Sequence, residues 1–226
     1  MSFVRFAWSW LTSAQQWHGP DSIPVRVAQH LGYAGLSLLV AAAIAVPLGI
    51  LIGHTGRGRF FVLNLANVWR AIPTLGLLIL MVVLLGFSAL TWLIPLVVLA
   101  IPPILVNAFE GVAGVDPELK DAALGMGMTR WQMLRKVEVP LATPLIVLGL
   151  RTAAIFVVAT ATIAAEIALG GLGRYILDGL AANDYAEVAG GATVIVVLAL
   201  AVQVIFVVLR RLIVPAGLRA QSRSSR

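Results

Sequence analysis

Charged residues interrupt this sequence in a few separated places, and the apolar runs between them reach membrane-crossing length. From Leu31 to Gly56 there is no Asp, Glu, Lys or Arg; the same holds from Ala71 to Phe109 and from Val188 to Leu209. A bilayer's hydrocarbon core is about 30 Å thick and a helix rises about 1.5 Å per residue, so roughly 20 apolar residues cross it. The middle run is too long for one crossing, and Gly86-Phe87-Ser88 supplies a turn inside it. The pattern predicts five spans, at about 28–53, 71–86, 89–109, 142–165 and 190–213. Residues 60–70, apolar with Asn64, Asn67 and Arg70 interspersed, extend the second span as a separate helical piece, because Pro73 disfavours helical angles just before it. Pro95, Pro102 and Pro103 are expected to kink or shorten the third span.

Two segments fall outside that pattern. In residues 3–17, Phe3, Phe6, Ala7, Trp10, Leu11, Ala14 and Trp17 form one helical stripe, too short to cross. With Trp8 beside them, they suit a helix lying among lipid headgroups or one packed on the protein itself. The other is a polar island between the third and fourth spans. The organisation is therefore an N-terminal interfacial segment (1–24), a membrane domain (25–214) enclosing the loop 110–141, and a basic tail (215–226).

Composition agrees with lipid as the solvent. The 226 residues are 60% hydrophobic and 12% charged, about half the charge density of a soluble domain. The expected class is an all-α membrane protein. Cysteine is absent, which removes disulfides and thiolate metal sites, and His18, His30 and His54 are scattered without metal-ligand spacing. The N-terminus lacks the features of a cleaved signal peptide, so the first span is expected to do the targeting. The net charge of +6 follows sidedness better than nucleic-acid binding. If loop 110–141 is cytoplasmic, eleven Lys and Arg share its side: Arg57, Arg59, Lys120, Arg130, Arg135, Lys136, Arg210, Arg211, Arg219, Arg223 and Arg226. Arg5, Arg26 and Arg174 lie opposite. That bias predicts an external N-terminus and a cytoplasmic C-terminus.

The island is written as a capped helical bracket. Asp116 caps a helix start, Pro117 fits its first turn, and Glu118 favours the positive end of the helix dipole. Leu119, Ala122, Ala123 and Met126 line one face, and Gly127 can take the left-handed angles that end the helix. Thr129 followed by Gln132 is a capping-box pattern opening a second helix, and Pro140 is expected to end it before the fourth span.

The bracket resembles the coupling motif of binding-protein-dependent ABC permeases: Glu-Ala-Ala, three residues, Gly, nine residues, then Ile-x-Leu-Pro. Asp121 stands for the Glu, Val137 for the Ile and Val139 for the Leu; Ala122, Ala123, Gly127 and Pro140 match. The resemblance implies a type I ABC-importer permease with a coupling helix docked on a separate ATPase. It gives Glu118, Asp121, Ala122, Ala123, Gly127, Thr129 and Pro140 coupling roles. Gly149-Leu150-Arg151-Thr152-Ala153, Ala159–Ala165, Gly170-Gly171-Leu172-Gly173-Arg174-Tyr175-Ile176 and Gly179 are similar to the glycine betaine, carnitine and choline permeases. Gly19–Pro24 and His30-Leu31 are similar to the segment before that family's first span. The implied partners are a cytoplasmic ATP-binding subunit using ATP and Mg, a second permease subunit, an extracytoplasmic substrate-binding protein and the lipid bilayer. No nucleic acid is implied, and no cofactor on this chain itself. The alternatives are an ABC permease for methionine or another small polar solute, and an ion-coupled carrier. The carrier requires carboxylates deep in the apolar runs, where none lies.

A smaller group of residues concerns the pathway. Arg151 sits about nine residues inside the fourth span, where a central arginine costs about 2.5–3.5 kcal/mol; it is either a gate charge or a structural pin. Thr160 and Thr162 either line a pathway or bond carbonyls of their own helix. Glu166 belongs at the outer mouth, and Gly171 and Gly173 in a gate turn or a plain loop. Gly49 and Gly53 form a small-xxx-small pair permitting close helix packing. Residues 53–60 have the glycine spacing of a phosphate loop, but Arg59 and Phe60 stand where Lys and Ser or Thr are required. The chain is not expected to be an enzyme.

Overall fold

The computed structural model describes residues 3–68, 72–167 and 170–213, without the side chains of residues 63, 66–68 and 166–167. Arg70, the Glu166 side chain and the tail 215–226 lie outside the described residues. Every described element is helical: α1 Phe3–Leu11, α2 Ile23–Thr55, α3 Arg59–Val68, α4 Thr74–Leu85, α5 Ala89–Ala113, α6 Pro117–Gly125, α7 Arg130–Met133, α8 Val139–Ile163, α9 Gly173–Ala182 and α10 Tyr185–Ile213. A π-turn, Leu134–Glu138, joins α7 to α8.

Four helices are long and apolar enough to cross a membrane: α2, α5, the continuous stretch Arg130–Ile163, and α10. They correspond to the first, third, fourth and fifth expected spans. The second is different. It consists of α3 with 10 residues and α4 with 12, and α4 alone rises only about 18 Å. Gly86, at φ 65, closes α4, and Thr91 Oγ1 donates to its carbonyl at 2.6 Å. The turn at residues 86–88 is therefore present. None of Pro95, Pro102 and Pro103 shortens the next helix, since α5 runs unbroken for 25 residues.

The chain divides into two units. One comprises Met1–Leu39, Ile72–Leu99 and Ala154–Gln203. Its core is Trp10, Ile23, Leu172 and Tyr175, with Val27, Val194 and Leu198 packed against it. The Trp10 and Tyr175 rings meet edge-on at 4.9 Å, and Trp10 lies so close over Gly190 that a Cβ there would overlap its indole. Packing on the protein itself is therefore seen at Trp10, while Trp8 faces away from the chain. Trp10 is 6% exposed and packs on the protein, whereas Trp8 is 70% exposed. Burial pushes the Tyr175 phenol up to about 12, so the hydroxyl stays protonated and donates to the Asp21 carbonyl at 2.5 Å.

The other unit comprises Val40–Ala71, Ala100–Ala153 and Val204–Arg226. Here glycines set the helix spacing. A Cβ on Gly49 would lie 2.8 Å from the Leu105 carbonyl, and one on Gly53 2.8 Å from the Phe109 carbonyl. The small-xxx-small pair thus serves contact between α2 and α5 of the same chain. Gly149 of α8 approaches α5 as closely, 2.9 Å from the Pro103 carbonyl. Contacts of this kind leave no room for a side chain. Gly149→Leu should lower stability by about 1–3 kcal/mol through overpacking. Gly35→Ala, where nothing lies within 4 Å, should melt no lower than the parent; thermal unfolding in detergent compares the two.

Candidate functional site: the charged bracket

The bracket folds as its residues dictate. The Asp116 side chain accepts from the Glu118 amide at 2.9 Å, with Pro117 next to it in the first turn. At the other end of α6, the Gly127 amide donates to the Leu124 carbonyl at 2.9 Å and the Met128 amide to the Ala123 carbonyl at 3.1 Å. That paired closure is a Schellman motif, which requires the left-handed backbone that Gly127 supplies at φ 83. Thr129 and Gln132 form the complete capping box: Gln132 Oε1 accepts from the Thr129 amide at 2.9 Å, and Thr129 Oγ1 accepts from the Gln132 amide at 3.3 Å. Both helices thus have terminal backbone groups capped within the bracket.

Two expectations are corrected. Ala122 and Ala123 do not share a face, because Ala123 is 1% exposed while Ala122 is exposed. The outward apolar stripe is Leu119, Ala122 and Met126, the last 72% exposed, and Glu118 and Asp121 are also exposed. Pro140 does not end the second helix. Its missing amide and the steric demand of its ring on the preceding turn coincide with a π-turn, in which the Val139 amide donates to the Leu134 carbonyl. The extra residue lets the helix continue into α8. Trp131 stands 60% exposed on the outer face, with the Arg135 guanidinium 4.9 Å above its ring.

Beneath the bracket lies a cluster that sequence reasoning missed. Glu138 is 1% exposed. His54 Nδ1, at the end of α2, is 2.5 Å from its Oε2, and Lys120 Nζ, on α6, is 3.3 Å from its Oε1. Lys120 Nζ also donates to the Val112 carbonyl of α5 at 3.3 Å. On the same stretches of helix, Val112, Leu134 and Ala142 form a core cluster with Ile50, Val139 and Ile146. One signal was available: Glu138 stands four residues after Leu134 and four before Ala142, both on the buried face. Its partners were not legible.

The pathway candidates are scattered. In the first unit, a Cβ on Gly173 would overlap the Thr162 carbonyl, so these two residues touch. Gly171 sits over His30, and its amide donates to Gln29 Oε1 at 2.9 Å, making residues 170–171 a tight turn held by α2. Thr160 is buried, and Thr162 Oγ1 donates to the Val158 carbonyl of its own helix at 3.5 Å. Arg151 belongs to the other unit, is partly buried and is not without a partner.

Long apolar helices, with a capped, charged bracket in the chain between α5 and α8, define a multi-spanning membrane protein. The fold is that of type I ABC-importer permeases: a chain of the MetNI methionine ABC transporter, in its inward-facing conformations, superposes with a TM-score of 0.71 at 22% identity, over 83% of this chain and 94% of that one. The sequence profile described as "Binding-protein-dependent transport system inner membrane component" matches residues 45–217, and this chain belongs to that family. The glycine betaine/carnitine/choline transport system permease protein OpuCB of Bacillus subtilis is 32% identical over 88% of this chain and 92% of its own length. The carnitine transport permease protein OpuCB of Listeria monocytogenes is 38% identical over 79% and 82%.

Removing the Thr129 hydroxyl deletes one bond of the capping box, worth about 1 kcal/mol. In Thr129→Ala the amides of residues 130–133 should exchange with deuterium about fivefold faster, read by hydrogen-exchange mass spectrometry. Exchange at residues 23–40 should not change.

Proposed function

We propose that this chain is the transmembrane permease subunit of an ATP-driven importer of osmoprotectants: glycine betaine, choline, carnitine or proline betaine. Likeness to the OpuCB permeases over most of the chain carries the cargo class. The capped bracket supports the mode of coupling. A membrane chain gains nothing from holding Leu119, Ala122, Met126 and Trp131 in water unless another surface covers them.

On this reading the bracket docks in a groove of a cytoplasmic ATPase, which binds ATP and Mg. Leu119, Ala122 and Met126 form the apolar contact, and Glu118 and Asp121 meet basic groups. Gly127, Thr129 and Pro140 hold the shape, and Ala123 lets α6 seat closely on its own chain. An extracytoplasmic binding protein captures the solute, and a second permease subunit supplies the other wall. Arg151, Thr160, Thr162, Glu166, Gly171 and Gly173 belong to the pathway or its outer gate.

The positive-inside bias orients the chain with its N-terminus outside. Alternation then requires α3 and α4 to make one crossing between them, because α5 must run inward to reach the bracket. Single-cysteine labelling in intact cells tests this: Ser88→Cys should react with an impermeant maleimide from outside, and Arg57→Cys only after permeabilisation. Reaction of both from the same side would discard this topology.

Ala122→Arg places a charged side chain on the outer stripe. It should leave membrane insertion intact, lower co-purification of the ATPase subunit more than tenfold, and abolish betaine uptake. Wild-type uptake at equal expression would refute the coupling role. Accumulation of methionine instead of betaines by the full assembly would move the cargo to the other reading.

A further inference from the structure

A carboxylate that joins three helices beneath a docking surface is placed to pass movement between them. Glu138 follows the capped second helix of the bracket and is closed off from solvent. Each of its oxygens is taken by a different element: Oε2 by His54 at the end of α2, and Oε1 by Lys120 on α6. The same lysine reaches the Val112 carbonyl in the last turns of α5. His54 Nδ1 and Glu138 Oε2 share one hydrogen bond, at 2.5 Å.

The surroundings give this cluster its leverage. Val112, Leu134, Ala142 and Ile50, on the same stretches of helix, are apolar, so the charges have little water to fall back on and hold each other firmly. The π-turn over Leu134–Glu138 sets the direction of the glutamate. By inserting an extra residue, it turns Glu138 under the bracket while Trp131, one helix earlier, stays on the outer face. Lys120 sits on α6 one residue before Asp121, on the side away from the exposed stripe, and is largely covered. Outward residues of α6 are thus free for a partner, and its inward residue is tied down.

We propose that Glu138 is a positioning residue for transport: through His54 and Lys120 it clamps α6 to the ends of α2 and α5, so that displacement of the bracket moves those helices instead of tilting α6 alone. The inference rests on the reading of the bracket as the ATPase-docking surface. It assigns to Glu138, His54 and Lys120 the step after docking, in which the ATPase's motion becomes rearrangement of the spans.

The test uses the complete assembly, with its ATPase and binding protein, in proteoliposomes, and reads solute imported per ATP hydrolysed. Glu138→Gln keeps the shape and loses the charge; Lys120→Met removes the tie from the α6 side without leaving an isolated cation. Both should retain ATPase association within twofold of wild type, continue to hydrolyse ATP, and import about tenfold less solute per ATP. The half-saturating solute concentration should stay unchanged. The double variant should be no worse than the poorer single one, because both break the same connection. Three results would overturn the proposal: wild-type solute per ATP in either inserted variant, losses that multiply in the double variant, or failure of both single variants to insert. If Glu138→Gln alone fails to insert, Lys120→Met decides. The docking reading is judged separately. Should Ala122→Arg keep the ATPase bound, that reading falls; should it release the ATPase while Glu138→Gln couples normally, only the clamp falls.

Discussion

Helices surrounded by lipid gain little from burying leucine against leucine, because the alternative environment is just as apolar. Close approach must hold them, and in this chain glycine permits it. Gly49 and Gly53 on α2 and Gly149 on α8 each bring a helix against a backbone carbonyl of α5 at distances a side chain would occupy. These contacts set the spacing within which the remaining side chains in that unit fit. The same device recurs in the other unit, where Gly190 receives the indole of Trp10.

The bracket obeys a different requirement, since it lies where water competes for every backbone group. Its stability comes from satisfying those groups locally. Asp116 opens α6, Gly127 closes it, and Thr129 with Gln132 opens the next helix, all by bonds spanning five residues or fewer. A bracket closed on itself in this way presents a defined surface. Leu119, Ala122, Met126 and Trp131 stand exposed on that surface.

Between these regimes lies the Glu138 cluster. Buried charges are costly unless they are paired and hydrogen-bonded, and here one carboxylate has two partners from two other elements. Such an arrangement adds little stability over an apolar core of the same volume. What it adds is definition of where α6 sits against the ends of α2 and α5. On the proposed reading of the bracket as a docking surface, that definition matters more than stability, because slack between the bracket and the spans would dissipate a partner's motion.

The sequence by itself determined the membrane class, four of the five spans it predicted, the turn at Gly86, the three helix caps of the bracket and the close-packing role of Gly49 and Gly53. Each depends on residues within a few positions of one another, where helical period and backbone angles decide the outcome. Only the tertiary structure decided that Ala123 turns inward while Ala122 turns out, that Trp10 packs while Trp8 does not, that Pro140 is absorbed by a π-turn, and that Glu138 meets His54 across 84 positions of chain. Those outcomes depend on where helices cross. Crossing points follow from the summed packing of many side chains, which no local pattern encodes.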